Sequence, residues 1–362
     1  MRESTLEIDD LLRKAVKADA SDLHITVEAP PMVRVNGRLK PLEGFDKLAA
    51  SDTQGLLYSL LDEEKRGRFE ESGELDFSHS IHGVSRFRVN AFRQRGTIGI
   101  VCRVIPTTIR TIQDLGLPDV VAQLARCTRG LILVTGPTGS GKSTTLAAMI
   151  DLINGERAEH ILTLEDPIEY LHKHKKSIVN QREMGHDSKN YATALRAALR
   201  EDPNVILVGE MRDLETTQIA LTAAETGHLV LSTLHTQDAA QTIDRVIDIF
   251  PPHQQEQVKT QLSGTLQGIV AQLLLTRADV PGRVAAFEIL VATPAIKNLV
   301  REGKTHQIPS AIQTGAKYGM KSMESSLREL YQRGQITQED FMIRAPGAAA
   351  QLGTAQSMSY GG

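Results

Sequence analysis

The segment from residue 136 to 144 combines glycine, lysine and hydroxyl side chains at a spacing that suits phosphate binding. It follows the apolar run LILVT and precedes an apolar pattern of helical period. Glycines let the backbone N–H groups turn toward phosphate oxygens, a lysine can reach the β- and γ-phosphates, and a hydroxyl can face Mg²⁺. We therefore predict a Walker A loop for ATP and Mg²⁺, formed by Gly136, Pro137, Thr138, Gly139, Ser140, Gly141, Lys142, Ser143 and Thr144.

Three further apolar runs end in polar side chains of the kinds that assist phosphoryl transfer. The run HILTLED ends in Glu165 and Asp166, NVILVGE ends in Glu210, and HLVLSTLH ends in His235. Runs that are apolar throughout are typical of buried parallel strands, whose carboxyl ends meet at one edge of a sheet. We expect these side chains and the Walker A loop to converge on one crevice.

Phosphoryl transfer requires an oriented water, a metal on the phosphate oxygens and positive charge for the transition state. We assign Glu210 to the metal, directly or through water, and Glu165 to polarising the attacking water. Asp166 and Glu169 are expected to support Glu165. Because both roles need a carboxylate at the same sheet edge, the reverse assignment of Glu165 and Glu210 stays open.

Two histidines lie at opposite ends of the third run. His235 follows the strand, where a neutral imidazole could donate a hydrogen bond to the γ-phosphate and report its loss. His228 precedes the strand, and seven extended residues span roughly 23 Å, which is too far for the two rings to share a metal. His228 is either a structural loop residue or part of a subunit contact.

The elements that must position this site predict an α/β fold of two domains. Alternating strands such as SRFRVNAF and TIGIVCRVI follow a first amphipathic helix and indicate a smaller α+β domain at residues 1–105. A linker or hinge rich in Pro, Thr and Gly is expected at 106–118, the parallel-core ATPase domain at 119–344 and a disordered tail at 345–362.

Composition narrows the classes of function. The net charge of −3, the absence of tryptophan and the aromatic content of 4% do not favour nucleic-acid binding, although a RecA-like nucleic-acid translocase remains the alternative from a different class. Cys102 and Cys127 are the only cysteines, so no disulfide framework or four-cysteine zinc site can form within the chain. Because no apolar run approaches membrane-spanning length, we expect a cytoplasmic protein, or one bound peripherally at a membrane.

Several motifs resemble those of the secretion and type IV pilus ATPase superfamily. The segments GPTGSGKST, LTLEDPIEY, LREDPNVILVGEMRD and TAAETGHLVLSTLHT are similar to its Walker A, Asp box, Walker B and His box. The C-terminal TPAIKNLVREGKTHQIPSAIQTG is similar to a signature of the type IV pilus retraction ATPases, the PilT-like twitching motility proteins. Extension and secretion members usually carry CxxC zinc elements and a long extra N-terminal domain. The sequence has no CxxC, and about 130 residues precede the Walker A loop, so we expect the retraction branch.

The resemblance implies a PAS-like domain joined to a RecA-like domain, and a homohexamer that uses ATP and Mg²⁺. It implies a peripheral position at the inner membrane, with the pilus platform protein and other pilus machinery as partners. An accessory PilU-like retraction ATPase and a pilus extension or secretion ATPase remain alternatives.

The N-terminal domain is expected to supply arginines to the γ-phosphate, as in the superfamily. In SRFRVNAFRQRG, strand alternation places Arg86 and Arg88 on the face opposite to Phe87 and Val89. The arginines expected to reach the phosphate are Arg88, Arg93 and Arg103.

Overall fold

The computed structural model describes residues 6–35 and 37–345 and divides into two compact units. The first unit extends to Thr108 and also takes in Pro167–Leu171, whereas the second contains Ile109–Asp166 and the chain from His172 onward. The division after Thr108 falls inside the segment predicted as a linker. Of the predicted tail, only Ala345 belongs to the described residues.

One difference from the predicted boundaries concerns the segment Pro167–Leu171. Sequence reasoning placed it within the second domain, but its contacts group it with the first unit. Its last residue shows one reason, because the backbone N–H of Leu171 donates to the carbonyl of Pro106 at 3.3 Å. The composition of residues 167–171 does not indicate which unit they group with, so the sequence predicted a linker only at 106–118.

The first unit is an antiparallel sheet with helices against it, and the strands follow the order β3-β2-β1-β6-β5-β4. In chain order its elements are α1 Ile8–Lys17, β1 Asp22–Ile25, β2 Met32–Val35, β3 Arg38–Pro41, α2 Ala50–Tyr58, α3 Glu63–Ser72, β4 Glu74–Ile81, β5 Ser85–Gln94 and β6 Thr97–Ile105.

Strict alternation along β5 divides this sheet into an apolar and a polar face. Phe87, Val89 and Ala91 are fully buried, and they pack with residues of α1, α2 and α3 in one core. Arg86 and Arg88 occupy the alternate positions and are partly exposed. The predicted arrangement of arginines opposite Phe87 and Val89 is what the structure shows, because neighbouring strand residues point to opposite faces.

The second unit is built on a sheet with the order β13-β12-β7-β11-β10-β8-β9. Its elements are α4 Asp119–Ala125, β7 Gly130–Thr135, α5 Lys142–Glu156, β8 His160–Glu165, β9 Ile178–Glu183, α6 Tyr191–Ala198, β10 Val205–Val208, α7 Leu214–Glu225, β11 Leu229–Leu234, α8 Ala239–Asp248, α9 Pro252–Thr265, β12 Leu266–Thr276, β13 Arg283–Val291, α10 Pro294–Arg301, α11 Ile308–Thr314, α12 Met323–Gln332 and α13 Gln338–Arg344.

Every pairing in this second sheet is parallel except that of β12 with β13. Helices cover both faces: one core joins the strands to α6, α7, α8 and α9, and the other joins them to α4 and α5. Burial on both faces explains why the strands β7, β8, β10 and β11 are largely apolar. The predicted α/β class, with a parallel-core sheet preceded by a smaller α+β domain, is confirmed.

No helix within the described residues is both long and apolar enough to cross a bilayer.

The alternation on β5 predicts different stability effects at two adjacent positions. Phe87→Ala removes a fully buried ring and should lower the free energy of unfolding of the first unit by about 3–5 kcal/mol. Arg88→Ala removes a partly exposed side chain that lies 3.7 Å from Asp76, and it should cost less than about 1 kcal/mol. Chemical denaturation of both variants measures the contrast, and equal losses would contradict the assignment of faces.

Candidate nucleotide-binding site

The Walker A segment forms a loop between β7 and α5, as its sequence predicts. β7 ends at Thr135, and α5 begins at Lys142. All three of its glycines have backbone angles that disfavour other residues, with φ of +139° at Gly136, +81° at Gly139 and +91° at Gly141. Gly136 is also needed for space, because a Cβ there would lie 2.2 Å from the backbone oxygen of Gln272. The loop can form this tight turn only because these positions are glycine.

Lys142 lies over the loop that carries it. Its Nζ donates hydrogen bonds to the carbonyls of Gly136, at 2.8 Å, and Pro137, at 3.1 Å. Burial lowers the pKa of the Lys142 amine, and the negative charge of Glu210 opposes this effect. The half-buried ammonium of Lys142 interacts electrostatically with Glu210 and is suited to binding phosphate oxygens.

The parallel strands bring the predicted polar residues to the same edge of the sheet. Register is continuous: Leu234 on β11 pairs with Thr135 on β7, and Val208 on β10 pairs with both Ser232 on β11 and Leu164 on β8. Backbone hydrogen bonds continue beyond the strand ends, because Gly209 N–H donates to the Leu164 carbonyl at 2.8 Å. Lys142, Glu165, Glu210 and His235 therefore converge, as the sequence predicted.

Glu210 is the centre of a charged cluster. Its side chain is 16% exposed, and its Oε2 lies 2.7 Å from Arg212 Nη2 and 3.4 Å from His235 Nε2. Burial opposes ionisation of this carboxyl, but hydrogen bonds and charge from Arg212, together with His235, outweigh burial and lower its pKa. Glu210 is therefore an anion at neutral pH.

Glu165 accepts hydrogen bonds from two neutral side chains. Its Oε1 accepts hydrogen bonds from Thr163 Oγ1 at 2.6 Å and from Gln181 Nε2 at 3.1 Å. These bonds orient the carboxylate at the end of β8. Asp166, the next residue, is exposed. A carboxylate held in a defined orientation suits the polarisation of a water molecule.

One of the residues singled out in the sequence, His228, lies away from this cluster. His228 precedes β11 at its opposite end, where its Nδ1 lies 3.0 Å from the Ala223 carbonyl, and its own carbonyl accepts from Gly130 N–H at 2.9 Å. These contacts support the prediction that His228 is a structural loop residue. Glu169 belongs to the segment that groups with the first unit, so its supporting role remains a prediction.

The three candidate arginines all lie in the first unit and have partners there. Arg103 Nε donates to Asp22 Oδ1 at 3.0 Å, and Arg88 Nε lies 3.7 Å from Asp76 Oδ1. The Arg93 guanidinium lies 5.4 Å from the centre of the Phe69 ring. Their delivery to a phosphate remains a prediction.

Sequence reasoning missed several residues around the carboxylates. Arg212 stands two residues after Glu210 in the quoted segment VILVGEMRD, and a cation so close to a candidate metal carboxylate could have been noticed. Thr163 lies two residues before Glu165 on β8, and residues two apart in a strand point to the same face. The position of Thr163 beside Glu165 could therefore also have been predicted. Gln181 gave no such signal, because the pairing of β9 with β8 is visible only in the structure.

Sequence reasoning also missed Tyr191. Burial, together with the charges of Asp166, Glu165 and Glu210, raises the pKa of its phenol.

The oxygen donors at this edge fit Mg²⁺. Mg²⁺ prefers hard oxygen ligands and usually keeps several waters. Ser143 provides a hydroxyl on the first turn of α5, and the lowered pKa of Glu210 keeps its carboxylate anionic. Because Arg212 and His235 already contact Glu210, the chemistry of this donor set favours contact with the ion through water.

Comparisons with known proteins agree with this site. Residues 4–281 match the family model described as type II/IV secretion system protein. The chain is 50% identical over 340 residues to the type IV pilus retraction ATPase PilT of Pseudomonas aeruginosa, covering 94% of this chain and 98% of that protein. It is 42% identical to the type IV pilus ATPase PilU of the same organism, covering 95% and 90%. A crystal structure of the pilus retraction motor PilT with bound ADP superposes with a TM-score of 0.87 at 53% identity, covering 94% and 97%.

The contacts of Glu210 predict a pH effect of removing Arg212. A carboxyl with a lowered pKa stays ionised until the pH falls through that lowered value. Arg212→Ala should raise the pKa of Glu210, so the acid limb of the ATPase pH profile should move to higher pH. Arg196→Ala, which breaks an exposed ion pair with Glu215, is the control and should leave the limb in place. An unmoved limb in Arg212→Ala would contradict the described role of Arg212.

Proposed function

The chain belongs to the family of type II/IV secretion system proteins and to its branch of type IV pilus retraction ATPases, and we propose that it works as a hexameric motor for pilus retraction and twitching motility. As a member of that branch it is an ATP hydrolase. The observation that best supports the site assignment is the convergence of Lys142, Glu165, Glu210 and His235 at the carboxyl edge of one parallel sheet.

The proposed chemistry divides the work among these four side chains. ATP binding exchanges the hydrogen bonds of Lys142 to its own loop for contacts with the β- and γ-phosphates. Glu165, oriented by Thr163 and Gln181, polarises the attacking water. His235 donates to the γ-phosphate and, through its contact with Glu210, senses when that phosphate leaves.

Mg²⁺ is the proposed metal, held by Ser143 and, through water, by Glu210. When bound, it neutralises charge on the β- and γ-phosphate oxygens. The protein supplies the rest of the positive charge, from Lys142 and from arginines of the first unit, for which we propose Arg88, Arg93 and Arg103. Asp166 and Glu169 remain proposed supports of Glu165.

The proposed partners follow from the pilus relatives. We propose a homohexamer that acts at the inner membrane from the cytoplasmic side, through the pilus platform protein and other pilus machinery. No nucleic-acid partner is proposed. The segment 106–118 is the proposed hinge through which nucleotide binding and hydrolysis would move one unit relative to the other.

Conservative amide variants separate the roles proposed for the two carboxylates. Glu165→Gln should keep MgATP affinity and lower kcat by about 10²- to 10⁴-fold, because it removes a general base. Glu210→Gln should raise the Mg²⁺ concentration needed for half-maximal activity, because the amide binds the hydrated ion more weakly. Steady-state ATPase assays across a Mg²⁺ titration measure both effects. The opposite pattern would exchange the two roles.

Deletion of the gene in its host tests whether the motor retracts or extends pili. Cells that lack the protein should carry abundant surface pili but fail to move over surfaces, because pili extend and do not retract. Electron microscopy of pili and a surface motility assay provide the two measurements. Wild-type protein should restore motility, whereas Lys142→Ala should not. Cells without pili would identify an extension motor, and unchanged motility would also refute the proposal.

A further inference from the structure

A buried glutamine on β12 contacts the Walker A loop at several points. Gln272 is 2% exposed, and its side-chain amide donates from Nε2 to the Ser140 carbonyl at 2.6 Å. Its Oε1 accepts a hydrogen bond from Thr145 Oγ1, on the first turn of α5, at 2.8 Å. One side chain therefore ties the loop and the following helix to a neighbouring strand of the sheet.

The backbone around Gln272 is equally close to the loop. A Cβ added at Gly136 would meet the Gln272 carbonyl oxygen, and one added at Gly141 would lie 3.0 Å from Gln272 Nε2. Both ends of the loop therefore pack against the same residue. A buried amide in such a position needs hydrogen-bond partners, since an unsatisfied polar group in the interior destabilises the fold.

The bond to Ser140 fixes the direction of one peptide group. A peptide unit is planar and trans, so the N–H of Gly141 points opposite to the Ser140 carbonyl that Gln272 holds. Gly141 is the residue immediately before α5, where N–H groups bind anions. Rotation of this peptide would replace an N–H donor with a carbonyl oxygen, which repels phosphate.

We propose that Gln272 is a positioning residue for nucleotide binding, which holds the Ser140–Gly141 peptide with its N–H directed at the phosphates. The inference rests on the proposed nucleotide site and adds a residue from outside the motif. It also explains why Gln272 occurs in the otherwise apolar stretch GIVAQLLL of β12. An apolar residue would pack there but would leave the Ser140 carbonyl and the Thr145 hydroxyl without this partner.

The chain offers a matched control on the same strand. Gln267 also lies on β12, and its Nε2 donates to the Arg129 carbonyl at 3.0 Å, just before β7 begins. Gln272 makes the equivalent bond beyond the end of β7. The two glutamines thus brace opposite ends of one strand, and only Gln272 contacts the loop.

The test compares the dissociation constant of ADP in Gln272→Met and Gln267→Met, measured with a fluorescent ADP analogue and by calorimetry. Gln272→Met should weaken ADP binding by about tenfold, which corresponds to about 1.4 kcal/mol, and should raise KM for ATP more than it lowers kcat. Gln267→Met should lower the melting temperature without changing ADP affinity. If both variants lose stability and keep wild-type affinity, the role is structural only and the proposal is wrong.

Thr145→Val keeps the test decisive if Gln272→Met fails to fold. This change removes the hydroxyl that donates to Gln272 while preserving side-chain shape, and it should weaken ADP severalfold. In the double variant the two losses should not add, because both act through one amide. Unchanged affinity in Thr145→Val would refute the proposal. The variant Lys142→Ala tests the proposed nucleotide site independently of Gln272. Normal ADP binding in Lys142→Ala would refute the Walker A assignment itself.

Discussion

Parallel pairing in register is the constraint on which the catalytic edge depends. β7, β11, β10 and β8 are neighbours in the sheet, and their pairings bring their carboxyl ends to one level. Residues as far apart in the chain as Lys142 and His235 therefore lie at the same edge of the sheet. The apolar cores on both faces hold the strands in this register, because a shift of one residue would move side chains from one core into the other, which is packed with different residues. The chemistry at the edge is thus secured by hydrophobic packing remote from it.

The Walker A loop shows how much support a phosphate cradle needs from outside its motif. Its glycines permit the necessary backbone angles, but the same freedom would let an isolated loop adopt many conformations. Strand β12 restricts that freedom, because its backbone packs at Gly136 and its Gln272 amide holds Ser140. Binding sites that are rigid before the ligand arrives lose less conformational entropy on binding. The antiparallel partner β13 keeps β12 in place and so contributes indirectly to the cradle.

Sequence reasoning predicted the features that depend on local pattern. The apolar runs predicted the parallel strands, and the rule that ligands bind at the carboxyl edge placed Glu165, Glu210 and His235 together. It could not predict Gln181 or Gln272, because their roles depend on which strands are neighbours in the sheet. Nor could it predict that Pro167–Leu171 groups with the first unit, since a segment with ordinary composition carries no sign of where it packs.

The candidate arginines Arg88 and Arg103 differ in how much stability the fold loses when each one leaves the carboxylate that it contacts. An arginine that serves a phosphate must leave its present partner. Arg88 would leave Asp76, whose side chain is 57% exposed and can be solvated again at little cost. Arg103 would leave Asp22, which is 5% exposed, and a buried carboxylate that loses a cation is costly to the fold. Arg34, 3.8 Å from Asp22, could offset only part of that loss. Arg88 therefore loses less free energy than Arg103 on leaving its partner to serve a phosphate.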